Sequence, residues 1–181
     1  MNRTENFDLQ FLAIDTEVLN RIIKAANNLV GNPDPSRKGG YLALYGINEK
    51  ISAAAPAGEF PEDMRFRFLT NASEKLTRCL KFKLIRSFES RNVENGQYGG
   101  GIVLKHFAIA FSGYDEKIDE AIALVYGLYH TMFYSKHASD ERPTDSAMYF
   151  PMLMEQVIAW QKLYAPENQF CIPLAKAMFE G

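Results

Sequence analysis

Two glycine-containing segments carry the clearest potential for binding a ligand. One is residues 98–101, with three consecutive glycines, and the other is residues 112–113, just before a predicted helix that starts near Asp115. Glycine permits close approach to the backbone, and a helix N-terminus adds partial positive charge, so an anionic group would be favoured there. The glycines could equally have only a structural role in shaping a strand. The predicted ligand-binding residues are Tyr98, Gly99, Gly100, Gly101, Ser112 and Gly113.

The acids beside this predicted site work against it. Asp115 and Glu116 would compete with a bound anion for the same backbone N–H donors. If the site is real, replacing Gly100 with Val should crowd the approach and weaken binding while leaving the fold largely intact.

Two histidines are spaced so that they could share one helix face. His130 and His137 are seven residues apart, which is about two helical turns. Imidazole nitrogens bind haem iron and divalent metals, so both histidines are candidate metal ligands. The alternative is a hydrogen-bonded, partly buried His130 and an exposed His137.

No catalytic residue set is readable from the sequence. Ser112 has no histidine or acid in a recognisable nucleophile motif, and no glycine-rich phosphate loop stands at a strand-to-helix turn. The acidic residues 115, 116, 119 and 120 are typical of charges placed at the start of a helix. Whether the protein is an enzyme is left open.

The hydrophobic pattern predicts the elements that would position these residues. Helical periodicity covers residues 15–30, 61–83, about 115–134 and 149–164, and strand patterns cover 41–45, 51–55, 102–104 and 107–111. Residues 84–90 could add a further strand. Phe107, Ile109 and Phe111 alternate with two alanines, so we expect a helix to pack closely on the alanine face. The prediction is an α/β (α+β) fold with an antiparallel sheet of about five strands, flanking helices and a C-terminal helical extension.

Composition narrows the class of protein. The chain has 181 residues, 47% hydrophobic and 23% charged, which fits a single globular domain over residues 1–181. A net charge of -2 gives little attraction for nucleic acid, and the basic stretch from Arg78 to Arg91 is expected to be a solvated face. No apolar run is long enough to cross a membrane, and no secretory signal is visible, so a cytoplasmic location is expected. Cys79 is expected in the core.

Several motifs together resemble a known family. Gly99-Gly100-Gly101-Ile102-Val103-Leu104 and Ala108-Ile109-Ala110-Phe111-Ser112-Gly113 are followed by Asp119-Glu120. This pattern is similar to the GlcG/HbpS-like (haem-degrading-protein-like) family over roughly residues 15–128. The segment Glu74-Lys75-Leu76-Thr77-Arg78 keeps only the Lys and the Thr of that family's Lys-Ala-x-Thr-Ala motif, and the chain continues about fifty residues further.

The resemblance implies a profilin-like fold over residues 15–135, with 136–181 as the extension. It also implies a homodimer or higher homo-oligomer that binds a small molecule, with haem or another tetrapyrrole as the candidate cofactor. The aromatic and methionine residues after Tyr126 are more than one helix stripe needs, so we expect a subunit interface on the last long helix, near Trp160 or Phe150. The alternatives are a non-catalytic scaffold that docks a partner on its aromatic C-terminal helix, and an enzyme of small organic acid metabolism.

Overall fold

The protein is a mixed α/β protein with one antiparallel sheet. The computed structural model describes residues 13–31, 34, 37–136 and 146–180. Over these residues the chain forms α1 (Thr16–Val30), β1 (Lys38–Gly46), β2 (Ile51–Glu59), α2 (Arg65–Phe82), β3 (Gly101–Val103), β4 (Phe107–Ser112), α3 (Glu116–Lys136), α4 (Ser146–Tyr164) and α5 (Cys171–Glu180).

The sheet confirms both predicted hairpins. Its four strands lie in the order β2-β1-β4-β3, and every neighbouring pair is antiparallel. Leu42 pairs with Ala55 in the first hairpin, and Ile102 pairs with Ile109 in the second. The two hairpins join through β1 and β4, where Leu44 lies opposite Ile109. This arrangement places the end of β4 and the segment before β3 side by side.

The second strand is longer than its sequence suggests. The strand pattern covers only residues 51–55, but β2 continues through Pro56 to Glu59, with Gly58 at a φ of 69°. Proline is tolerated because β2 lies at the edge of the sheet, where an N–H that points outward has no ladder partner to lose.

The expected fifth strand at residues 84–90 does not form in this structure. Ser87–Ser90 is a turn of 3₁₀ helix, and only Arg86 makes an isolated bridge, with Ile102. The Glu89 carboxylate accepts the backbone N–H of Arg86 at 3.1 Å and closes the turn. At the next position along β3 the Gly101 N–H donates to Ser87 Oγ at 2.8 Å, so the ladder does not continue beyond Arg86.

The two faces of the sheet carry different residues, as the alternation in β4 predicts. Ala108 and Ala110 pack against Ala72 and Leu76 of α2, which confirms the close helix on the alanine face. On the other face Phe107, Ile109 and Phe111 join the main core with α1 and α3. The small side chains let α2 approach β4 closely.

The C-terminal helices belong to the main core. Tyr149, Leu153 and Trp160 of α4 and Leu174 of α5 are buried in it, and α5 contacts α1, α3 and α4. None of the helices in the described part of the chain is long and apolar enough to cross a membrane.

Candidate functional site

A cleft of about 700 Å³ opens between α2, the segment before β3 and the start of α3. Its apolar lining comes mainly from α2 and from the loops around it. Its charged lining consists of four cationic residues, Arg37, Arg67, Lys75 and Lys117, and four acidic residues, Asp34, Asp115, Glu116 and Asp119.

A line of polar residues on α2 leads from the mouth of the cleft to its interior. Arg67, Asn71 and Lys75 follow one another at four-residue spacing, so they share one helix face, and all three line the cleft. Arg67 is exposed, Asn71 is half-buried and Lys75 is buried. Among the described residues, neither the Arg67 nor the Asn71 side chain has a hydrogen-bond or ion-pair partner. We call these three residues the α2 polar line.

The inner end of the cleft holds a buried ion pair. The Lys75 Nζ lies 2.7 Å from Asp119 Oδ2, and both side chains are only 3% exposed. The same ammonium donates to the Phe111 carbonyl at 2.8 Å, and the Tyr114 N–H donates to Asp119 Oδ1 at 2.8 Å. Burial raises the pKa of Asp119 to about 6, and the Lys75 ammonium opposes the shift without cancelling it.

Gly100 packs against this ion pair. Its φ is 108°, a backbone conformation that residues with a side chain rarely adopt. A Cβ there would lie 2.6 Å from the Asp119 Cβ and 2.9 Å from the Lys75 Nζ. The expectation that Gly100→Val leaves the fold largely intact is therefore wrong, since the added side chain meets a buried pair as well as backbone strain.

The fold brings the two predicted glycine segments together, but the chain itself uses their donors. Gly99 donates its N–H to Glu116 Oε2 at 3.1 Å, and Gly101 donates to Ser87 Oγ at 2.8 Å. Glu116 therefore occupies a backbone N–H donor that an anionic ligand would need, as expected from the sequence. Tyr98 and Gly113 line the cleft, whereas Ser112 is buried.

His130, the candidate metal ligand that the structure describes, does not line the cleft. His130 is buried, with its ring stacked on Tyr126 at 5.7 Å and edge-on to Phe107 at 5.4 Å. His137 falls outside the described residues. Over the part of the chain that the structure describes, no group of three or more His, Cys, Asp or Glu is placed to hold a metal ion.

A second buried ionic cluster connects the segment between α4 and α5 to Arg86 and Glu120. Arg86 donates to both carboxylate oxygens of Glu120 at 2.9 Å, to Glu167 and to the Tyr164 carbonyl. Asn168 donates to Glu120 Oε1 at 2.9 Å. Arg78 is buried too, so the prediction that the basic stretch is a solvated face is wrong for two of its three arginines, those at 78 and 86.

Sequence reasoning missed the α2 polar line and assigned Asp119 to a helix start. A signal was present, because three polar residues at four-residue spacing lie beside the inward stripe of Phe68, Ala72 and Leu76. The partner of Lys75 could not be read in the same way. Asp119 is 44 residues away, and only the packed helices bring the two side chains into contact.

Comparisons with protein-family models, curated proteins and solved structures found no match for this chain. The family resemblance described above therefore stays a prediction.

Proposed function

We propose that this protein binds a small organic acid in the cleft, with the α2 polar line as its recognition element. The observation that carries the proposal is a pair of side chains, Arg67 and Asn71, that have no partner among the described residues and line the same cleft as the buried Lys75. A guanidinium forms charge-assisted, often bidentate, hydrogen bonds with a carboxylate, and an amide adds a further donor.

Arg67 carries most of the proposed recognition because the other cations of the cleft are engaged. Arg37 pairs with Asp115 at 2.8 Å, and Lys117 donates to the Glu167 carbonyl at 3.2 Å. Lys75 is paired with Asp119. A ligand carboxylate would thus gain a partner at Arg67 without breaking an existing ion pair.

The apolar part of the lining suits an organic acid that has a hydrocarbon portion. Val93 and Tyr98 line the cleft and are exposed, and Phe68 lies beside them on α2. Covering such side chains with ligand carbon removes apolar surface from water, which favours binding.

A tetrapyrrole is the second candidate ligand. The GlcG/HbpS-like resemblance that implies it also implies a profilin-like fold. An antiparallel sheet with helices on both faces supports that arrangement. Tyr98 and Met64 line the cleft and are side-chain types that can ligate haem iron, although no described histidine or cysteine lines it.

We propose homo-oligomerisation through the helix that was first expected to form the interface, α4, but through side chains other than Trp160 and Phe150. Trp160 is buried in its own chain, and Phe150 packs on Phe179 at 5.2 Å. The apolar residues left exposed on α4 include Ile158 at 46% and Leu163 at 69%. The scaffold alternative is weakened for the same reason, since Tyr149 and Trp160 already fill the core.

Calorimetric titration with pyruvate, succinate and haemin tests which ligand class binds. We expect the acids to bind and Arg67→Met to weaken that binding roughly tenfold, the equivalent of about 1.4 kcal/mol for a charge-assisted bond. Lys81→Met is the matched control, because it removes one charge from the exposed side of the same helix outside the cleft. Equal losses in both variants, or binding of haemin alone, would contradict the proposal.

A further inference from the structure

Among the described residues, the buried lysine of the cleft, Lys75, is the only cation paired with the Asp119 carboxylate. Lysine is almost never fully buried unless it is paired, and burial is one of the features by which proteins adapt a lysine to act as an amine nucleophile. The Lys75 Nζ is held by two bonds, at 2.7 Å to Asp119 Oδ2 and at 2.8 Å to the Phe111 carbonyl. Both Lys75 and Asp119 line the cleft.

We propose that Lys75 forms an imine with the carbonyl group of a 2-oxo acid bound in the cleft. This inference rests on the proposed function and narrows its ligand class. The carboxylate of the 2-oxo acid would lie against Arg67 and Asn71, and its carbonyl carbon would be directed along the α2 polar line toward the amine.

The step is balanced without any further reactant. The Lys75 ammonium gives a proton to Asp119, and the neutral amine forms a C–N bond with the carbonyl carbon. The carbonyl oxygen takes the proton back from Asp119 and becomes a hydroxyl. The C–O bond then breaks, and the nitrogen proton leaves with the hydroxyl as water, which gives a protonated imine.

The charge on the nitrogen is the same before and after the reaction. An ammonium is replaced by an iminium, and Asp119 is protonated while the amine is neutral, so its carboxylate has a cationic partner whenever it is charged. This matters because an unpaired buried charge is strongly destabilising. The pair is thus suited to imine formation, whereas a reaction that left Lys75 neutral would leave Asp119 uncompensated.

Only glycine fits beside the nitrogen at position 100, because a Cβ there would lie 2.9 Å from the Lys75 Nζ. The ion pair is therefore closely packed on that side, and a ligand would reach the amine from the cleft that Lys75 lines. The orientation of the Asp119 carboxyl group is also fixed, because the Tyr114 N–H donates to Oδ1 while Oδ2 faces the Lys75 amine.

The protonation behaviour of Asp119 agrees with the proton transfers. Burial raises its pKa to about 6, so the carboxylate can accept a proton and return it near neutral pH. The groups that face the pair are the Phe111 carbonyl from β4 and the Tyr114 and Gly113 N–H groups before α3.

Borohydride trapping with pyruvate tests the proposal directly. Reduction of the imine forms a stable secondary amine, and peptide mass mapping should place the pyruvate adduct on Lys75. Lactate carries the same carboxylate without the carbonyl and should give no adduct. Lys75→Arg should abolish trapping, and Lys81→Arg, an exposed lysine of the same helix, should retain it.

Asp119→Asn should slow trapping at least tenfold even where the variant stays folded, because the amide cannot relay the proton. A thermal melt of each variant separates loss of fold from loss of chemistry. The wild-type peptide map keeps the test decisive even if Lys75→Arg does not fold.

Calorimetry with pyruvate and lactate distinguishes the two proposals. If both acids bind and no adduct forms on Lys75, the imine is refuted and acid binding stands. If neither acid binds, both proposals fail. An adduct spread over many surface lysines would also overturn the assignment to Lys75.

Discussion

Gly100 has an unusual backbone conformation and packs against the buried Lys75–Asp119 pair. Its substitution tests how much the free energy of unfolding depends on the absence of a side chain there. Gly100→Ala should destabilise the protein by about 1–3 kcal/mol, because the added Cβ meets Asp119 and Lys75 at a φ of 108°. Gly96→Ala is the control, since Gly96 has a φ of 68° and nothing within 4 Å of the added atom. Chemical denaturation should give the larger loss for Gly100→Ala. Equal losses would mean that the ion pair does not need the glycine.

The pH dependence of stability tests the environment of Asp119. An acid with a higher pKa in the folded state binds more protons when folded, so the unfolding free energy falls as pH rises between the two pKa values. For Asp119 that interval runs from its ordinary value of 3.8 to about 6. The unfolding free energy of wild type, relative to Asp119→Asn, should therefore decrease from about pH 4 to pH 6 and then level off. A relative increase would mean that Lys75 dominates over burial.

At the residue scale, the sequence located the neighbourhood of the site better than its chemistry. Residues 98–101, the Ser-Gly at 112–113 and the start of α3 do meet, because glycine patterning and turn spacing are local signals. The partners of their donors were not readable in advance, apart from the competition expected from Glu116. Long-range bonds such as Lys75–Asp119 depend on helix packing.

The buried cluster around Arg86 shows how separate elements are held in register. Arg86→Met should destabilise the protein by about 3–5 kcal/mol, because Glu120 would remain buried without its cation. Lys176→Met provides the contrast, since its pair with Glu180 is exposed and worth at most about 1 kcal/mol. Urea denaturation of both variants gives the comparison. A small loss for Arg86→Met would mean that water or Asn168 compensates Glu120.

At the element scale, the helices and strands with a clear hydrophobic period were predicted well. The two hairpins and the face of β4 that packs on α2 follow from alternation, which depends on neighbouring residues only. The stretch at 84–90 lacks such a period, and it ends in a 3₁₀ turn in which the Glu89 side chain accepts the Arg86 N–H. The edge position that tolerates Pro56 is a property of the whole sheet, so no local pattern could reveal it.

Assembly is a property of the whole molecule, and α4 is where it can be tested. If a second copy covers the exposed side of α4, Leu163→Glu should shift the protein from dimer to monomer. Light scattering at tens of micromolar measures this change. Phe66→Glu is a matched control, since Phe66 is also largely exposed but lies on α2. A wild-type protein that is monomeric at this concentration would contradict the prediction.

The central claim is that the cleft binds a small organic acid along the α2 polar line. Mapping backbone and Asn71 side-chain NMR signals during a titration with pyruvate tests it most directly. We expect saturable shifts at Asn71, Tyr98, Gly113 and Tyr114, all of which line the cleft, and a roughly tenfold higher pyruvate concentration at half-saturation in Arg67→Met. Shifts that cluster elsewhere on the protein, or no saturable shifts at millimolar pyruvate, would contradict it.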